Sequence, residues 1–202
     1  MNSQFIYEYI DKLERVLSFA IHNKISFDYI QKAVSYSSYF QKIEKSIEGY
    51  SPFIDDDTLI KSLFPEIKKE ITGTPIYNEC LWASEAYMRI QKESGLTFEA
   101  IFIYFPLKDM YMCFPIYHEM DFSHIVAEFC KRMKKQSVLS LLAKQNGYSF
   151  EYISEKTHIP YETLISLNKR RRDISKTSVS NVLALSELFN VRVETMSEKT
   201  FK

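Results

Sequence analysis

Glycine and proline are scarce in this chain, with four Gly and six Pro among 202 residues. A β-sandwich or barrel needs more turn residues than that, so the chain is expected to be helical. Cysteine is rarer still. Cys80, Cys113 and Cys130 are odd in number, widely spaced and without a CxxC pair. This pattern excludes a disulfide framework or a cysteine zinc site and fits buried thiols in a reducing cytoplasm. No basic segment or cleavage pattern follows Met1, so no export signal is read. Nor is there an apolar run fit to cross a bilayer: the richest, residues 100–117, is interrupted by Pro106, Lys108, Asp109 and Pro115. What is plentiful is apolar and aromatic surface, 46% and 15% of residues, which are globular values. The length suffices for two cores.

Net charge is zero only because two halves cancel. Residues 1–130 carry 12 Lys/Arg against 19 Asp/Glu, a net of −7, and residues 131–202 carry 14 against 7, a net of +7. An acidic body joined to a basic, polyanion-seeking module is the expected arrangement.

Apolar spacing predicts a first helix over 4–23, with Ile6, Ile10, Leu13, Leu17 and Ala20 on one face. Ser26 is placed to cap a second helix over 27–34, and Ser37 or Ser38 a third running to 47. Residues 49–57 read as a loop whose three aspartates favour a helix over 58–70. The break at 72–75 is the clearest internal boundary. Helices are then expected over 76–93, from Thr97 to 105, and over 122–135, with Pro106 and Pro115 dividing the aromatic and Met-rich stretch between the last two. Residues 100–104 are the one place where Ile, Phe and Tyr would suit a strand.

Residues 12–30 match residues 135–153 at a constant offset of 123. Both copies carry Ala-x-x-Asn (Ala20 and Asn23; Ala143 and Asn146) and Ser-Phe-acidic-Tyr-Ile, beginning at Ser26 and Ser149. The N-terminal copy is either a second, degenerate helix-turn-helix with its turn at 35–37, or a chance likeness of two Ser-capped helix pairs.

The richest signal lies in residues 136–196. A helix opens at Ser149, a tight break falls at 158–160, and a second helix turns Tyr161, Glu162 and Ser166 outward and Leu164 and Leu167 inward. It runs straight into Lys169, Arg170, Arg171 and Arg172. A short helix followed by phosphate-seeking charge is what major-groove readout requires. Before it stands an apolar helix, Val138-Leu-Ser-Leu-Leu-Ala-Lys-Gln-Asn-Gly147, and after it Ser178-Val-Ser-Asn-Val-Leu-Ala-Leu-Ser-Glu-Leu-Phe-Asn-Val191, with a short closing segment to Met196.

In this order of parts, residues 137–196 resemble the helix-turn-helix family of phage repressors and Xre-like bacterial regulators. The resemblance implies a five-helix DNA-binding unit that reads bases with Tyr161, Glu162 and Ser166. Tyr161 would meet a sugar or a thymine methyl, Glu162 would accept from cytosine N4, and Ser166 would donate or accept. It implies phosphate contacts from Ser149 and Phe150 at a positively polarised helix end, and from Asn168, Lys169, Arg170, Arg171, Arg172 and Lys176. Ile153, Leu164, Leu167, Val182, Leu185 and Leu188 would form the core. Two positions depart from the family: Ser154 stands where a small Ala is usual, and His158 where the turn usually has Gly.

Other patterns carry less. His118, Glu119, Asp121 and His124 fall within seven residues but do not form HExxH, and on one helix the histidines would stand about 600° apart. Asp121 as a cap for the next helix is the better reading. No phosphate loop, GxSxG or Cys–His pairing is present, so no catalytic residue, metal or cofactor is assigned. The Tyr, Met and Phe density of residues 98–122 suits a core or a partner interface. The expectation is therefore an all-α, cytoplasmic, bacterial regulator that binds double-stranded DNA as a homodimer. Residues 1–135, with a sub-boundary near 72, supply dimerisation or partner sensing, and residues 136–202 bind DNA. The alternative is an antitoxin-like module whose body neutralises a protein partner while its helix-turn-helix regulates its own operon.

Overall fold

The computed structural model describes residues 6–45, 53–67, 74–171 and 174–197. Among them are thirteen α-helices and no strand. The chain divides into two compact units, Met1–Ala127 and Glu128–Lys202, with the division inside one helix. No helix of the described residues is long and apolar enough to cross a membrane.

The first unit contains α1 (Ile6–His22), α2 (Phe27–Tyr36), α3 (Ser38–Glu44), α4 (Asp56–Leu63), α5 (Asn78–Ser94), α6 (Phe98–Tyr104) and α7 (Leu107–Tyr117), and ends in the first turns of α8 (Ser123–Lys135). Its core forms where α1 lays Leu13, Val16, Leu17 and Ala20 against α5, which contributes Ala83, Ala86, Tyr87 and Ile90. Helix α6 is buried on every side by α2, α3 and α5. Complete burial explains why residues 100–104 have strand-like composition yet form a helix. A helix enclosed by others needs no polar stripe, and Thr97 starts it by accepting from the Ala100 amide at 3.1 Å. Sequence spacing places a division at Pro115, but Pro115 lies inside α7. It stands in the last turn, where the i−4 carbonyl it leaves unbonded belongs to Tyr111 and little helix remains to break.

Polar groups tie the layers together. Tyr87 donates to the Phe105 carbonyl at 2.9 Å, and Glu44 accepts from the Phe98 amide at 2.6 Å. Glu14 is buried on α1 and accepts from the Ser18 hydroxyl at 2.6 Å. Burial raises its carboxyl above the usual range, against the lowering effect of the Ser18 bond and Arg15. Of the three free cysteines, Cys80 is buried and its thiol is pushed up by that burial, while Cys113 and Cys130 are half-buried. Asp55 caps α4 by accepting from the Thr58 amide at 2.8 Å, so that helix begins at Asp56 and not at Thr58.

The second unit holds the rest of α8, then α9 (Val138–Asn146), α10 (Phe150–Thr157), α11 (Tyr161–Asn168), a 3-10 turn (Ile174–Lys176), α12 (Val179–Phe189) and α13 (Val193–Met196). Its buried apolar residues include Phe129 and Met133 of α8, with Val138, Leu139, Leu142, Ala143, Ile153, Ile159, Leu164, Leu167, Val182, Leu185, Phe189 and Met196. Leu188, expected in the core, is half-buried, and the next residue, Phe189, points inward instead.

The offset of 123 persists in three dimensions. Asn23 Nδ2 donates to the Phe19 carbonyl at 2.9 Å, and Asn146 Nδ2 to the Leu142 carbonyl at 2.9 Å. Lys24 and Gly147 both take positive φ, 56° and 66°, just past their helices. The amides that follow, of Ile25 and Tyr148, close on Ala20 and Ala143, each at 2.9 Å. Ser26 and Ser149 then cap α2 and α10 through the amides of Tyr29 and Tyr152. Helices α3 and α11 begin at Ser38 and Tyr161, and the caps Asp55 and Ser178 keep the same spacing. The copies differ in what surrounds them. Ser35 lies within α2, so the first break is Ser37 alone and not residues 35–37. Helix α4 packs on α1, whereas α12 packs on α10.

Candidate nucleic-acid interface

In the second unit the break between α10 and α11 spans His158, Ile159 and Pro160. His158 ends α10 in the left-handed region at φ 57°, a conformation that costs a non-Gly residue about 1–2 kcal/mol. Local bonds hold the strained turn. Ser154 donates its hydroxyl to the Ile159 carbonyl at 2.6 Å, and the Ile159 amide reaches Thr157 Oγ1 at 3.4 Å. Ile159 itself is buried and anchors the break in the core. Serine at 154 thus provides a tie across the turn that alanine could not. Pro160 precedes the first helical residue, and its carbonyl receives the amides of Thr163 and Leu164 at 2.8 and 3.1 Å.

Eight residues make α11 about 12 Å long, close to the width of a major groove. Leu164 and Leu167 are buried, and the opposite side carries exposed Tyr161 and Glu162 with half-buried Ile165 and Ser166. Because i and i+4 neighbour each other on a helix, Tyr161–Ile165–Lys169 and Glu162–Ser166 form two adjacent rows on that side. The predicted base-reading residues therefore share one outward face.

The basic segment after α11 is shaped by its backbone. Arg170 adopts φ 54°, its amide closing on the Leu167 carbonyl and the Arg171 amide on the Ser166 carbonyl, both at 3.0 Å. This is the helix-ending motif that ordinarily recruits glycine. Arg170 Nη2 donates to the Gln136 carbonyl at 2.8 Å, and the Ser137 hydroxyl donates to Asn168 Oδ1 at 2.8 Å. Two side chains of the predicted phosphate set, Asn168 and Arg170, are thus tethered to the start of α9, while Lys169 and Arg171 are exposed. Lys176 is exposed on the 3-10 turn just before the Ser178 cap of α12. Arg172 lies outside the described residues.

At the start of α10, Ser149 accepts from the Tyr152 amide at 3.2 Å, and the exposed N-terminal end is where an anion belongs. One anion already resides there. The Glu151 carboxyl is held below its usual range by its own backbone amide, then by the Ser149 hydroxyl. Sequence reasoning overlooked Glu151 as a rival anion at this helix end, although an acidic residue in a first turn is a readable signal. It also overlooked Lys134 and Lys135, which converge with Lys169 and Arg170 on one cleft. No spacing rule brings residues more than thirty positions apart together.

Elsewhere, Asp121 Oδ1 accepts from the Ser123 amide at 2.8 Å at the start of α8, which is the capping role expected of it. Among the described residues no cluster of His, Cys, Asp and Glu is arranged to hold a metal ion. No known protein family, curated protein or solved structure matches this chain.

Proposed function

We propose that this chain is a sequence-specific DNA-binding transcriptional regulator. Helices α10 and α11 form the helix-turn-helix of a repressor-like five-helix unit, α9 to α13. Helix α11 enters the major groove with Tyr161, Glu162 and Ser166 toward base edges. Ser149, Phe150, Asn168, Lys169, Arg170, Arg171, Arg172 and Lys176 face phosphates. One observation carries this reading: a short helix with a free polar face is held by a pinned turn and ends in exposed cations.

The N-terminal unit contains a second, degenerate copy of the same motif in α2 and α3. Its reading helix leaves Ser38 and Lys42 exposed but buries Tyr39 and Ile43, which stand where Glu162 and Ser166 do. Tyr39, Phe40 and Ile43 of α3 are buried, Phe40 packs edge-on to Phe98 at 5.6 Å, and Glu44 holds the Phe98 amide. One chain thus offers one reading helix, which covers only a few base pairs, so specific binding requires a homodimer on two half-sites about one helical turn apart. Exposed Met112, Ile116 and Met120 in and just after α7 offer apolar surface for a contact made by the first unit. The same stripe suits the antitoxin-like alternative, in which it meets a different protein. Light scattering separates the two: a homodimer supports the first, and a monomer that co-purifies with a stoichiometric protein supports the second.

Selection from randomised duplexes with the full chain tests the reading itself. The parent should enrich two half-sites. Glu162→Gln should change the preference at one or two base pairs by about 1–3 kcal/mol while leaving nonspecific affinity level or higher. An unaltered preferred sequence in that variant refutes α11 as the reader.

A further inference from the structure

A cleft of about 290 Å³ opens in the second unit between the end of α8, the start of α9 and the end of α11. Lys134 and Lys135 line it from α8, Lys169 and Arg170 from beyond α11, with Ser137 and Asn168 between them. No carboxylate stands in its lining. Two of these cations have an ordinary explanation, since lysines in a last turn complement the negative end of their helix. That does not explain why Lys169 and Arg170 are brought to the same place.

Specific bonds build the convergence. Arg170 takes its left-handed backbone and donates to the Gln136 carbonyl, which turns the segment after α11 back toward α8. Ser137 performs two tasks: its oxygen accepts from the Ser140 amide at 3.0 Å, capping α9, and its proton goes to Asn168 Oδ1. With Oδ1 engaged, Asn168 offers a ligand its two amide N–H groups. The positively polarised start of α9 opens on the same space. Three lysines, an amide donor and a helix N-terminus around an uncharged floor favour an anion in this space. At this volume a phosphate group with its waters fits the cleft.

We infer that this cleft is a phosphate-binding site, with Lys134 and Lys135 as phosphate ligands alongside Lys169 and Arg170. The phosphate belongs either to the backbone of the duplex bound by α11, which rests on the function proposed above, or to a free phosphorylated molecule. The full chain and its Lys134→Ala/Lys135→Ala variant are titrated with duplex DNA at three salt concentrations and, separately, with tripolyphosphate. A thermal melt verifies that both fold, and Lys134→Gln/Lys135→Gln, which keeps more of the side-chain stems, provides a second variant. The expected result is weaker binding to all duplexes alike, with the salt slope reduced by about 1.8, or 0.9 for each lost contact. An unchanged duplex slope with at least tenfold weaker tripolyphosphate binding keeps the site and assigns it to a free ligand. Unchanged binding of both probes overturns it. Should the parent fail to bind duplex DNA, the regulator reading falls and the cleft stands or falls on tripolyphosphate alone.

Discussion

Replacing Arg170 by Gly separates the mechanical role of this residue from its electrostatic one. At φ 54° Arg170 bears the cost of a left-handed backbone, about 1–2 kcal/mol for a residue with a Cβ. Glycine removes that cost but loses about 0.5–1 kcal/mol in added freedom of the unfolded chain, so the backbone gain is roughly 0.5–1 kcal/mol. The same substitution removes the Nη2 bond to the Gln136 carbonyl, made at an exposed position, which contributes about 0.5–1 kcal/mol. Arg170→Gly and Arg170→Ala lose the same side-chain contacts, so the backbone gain should appear as a higher melting temperature of the Gly variant than of the Ala variant. Arg170→Ala keeps the strain and loses the bond, and should be less stable by about 1 kcal/mol, or 2–4 °C in a chain of this size. Both variants lose one cation equally, and each should reduce the salt slope of duplex binding by about 0.9. Thermal denaturation followed by circular dichroism, with anisotropy titrations at three salt concentrations, measures both effects. A Gly variant as unstable as the Ala variant would refute the backbone argument. An unchanged salt slope in both would remove Arg170 from the phosphate set.

Two further substitutions probe carboxylates. Glu151→Gln removes the charge that occupies the start of α10, so binding to every duplex should tighten without a change in preferred sequence; equal or weaker affinity would mean that no phosphate approaches Ser149 and Phe150. Glu14→Gln tests burial in the first unit. Because the folded state raises the Glu14 carboxyl, its protonated form favours folding, a contribution complete below the ordinary value of 4.5 and lost as pH rises through the elevated folded value. The amide should therefore melt higher than the parent at pH 7 and lose that advantage below about pH 4, where both are uncharged. A pH-independent difference would contradict this assignment.

Much of the local structure follows from the sequence alone, because caps and breaks act over three or four residues. Ser26, Thr97 and Ser149 each cap the helix their spacing predicts, whereas Ser37 precedes α3 without a side-chain cap bond. The repeat at offset 123 was legible as paired Ala-x-x-Asn and Ser-Phe-acidic-Tyr-Ile strings, and those residues make the same bonds in both copies. The outward face of α11 followed from helical period and two buried leucines. Only the tertiary structure decided which copy is free. Helix α6 covers α3 through contacts between residues more than fifty positions apart, such as Phe40 with Phe98 and Glu44 with the Phe98 amide, and no local pattern encodes that pairing. It likewise decided that Arg170 and Asn168 turn back to Gln136 and Ser137, and that Lys134 and Lys135 join them in one cleft. Short-range bonding preferences are carried by neighbouring residues, whereas the choice of which charged or apolar faces meet is made when the whole core closes and buries its apolar area.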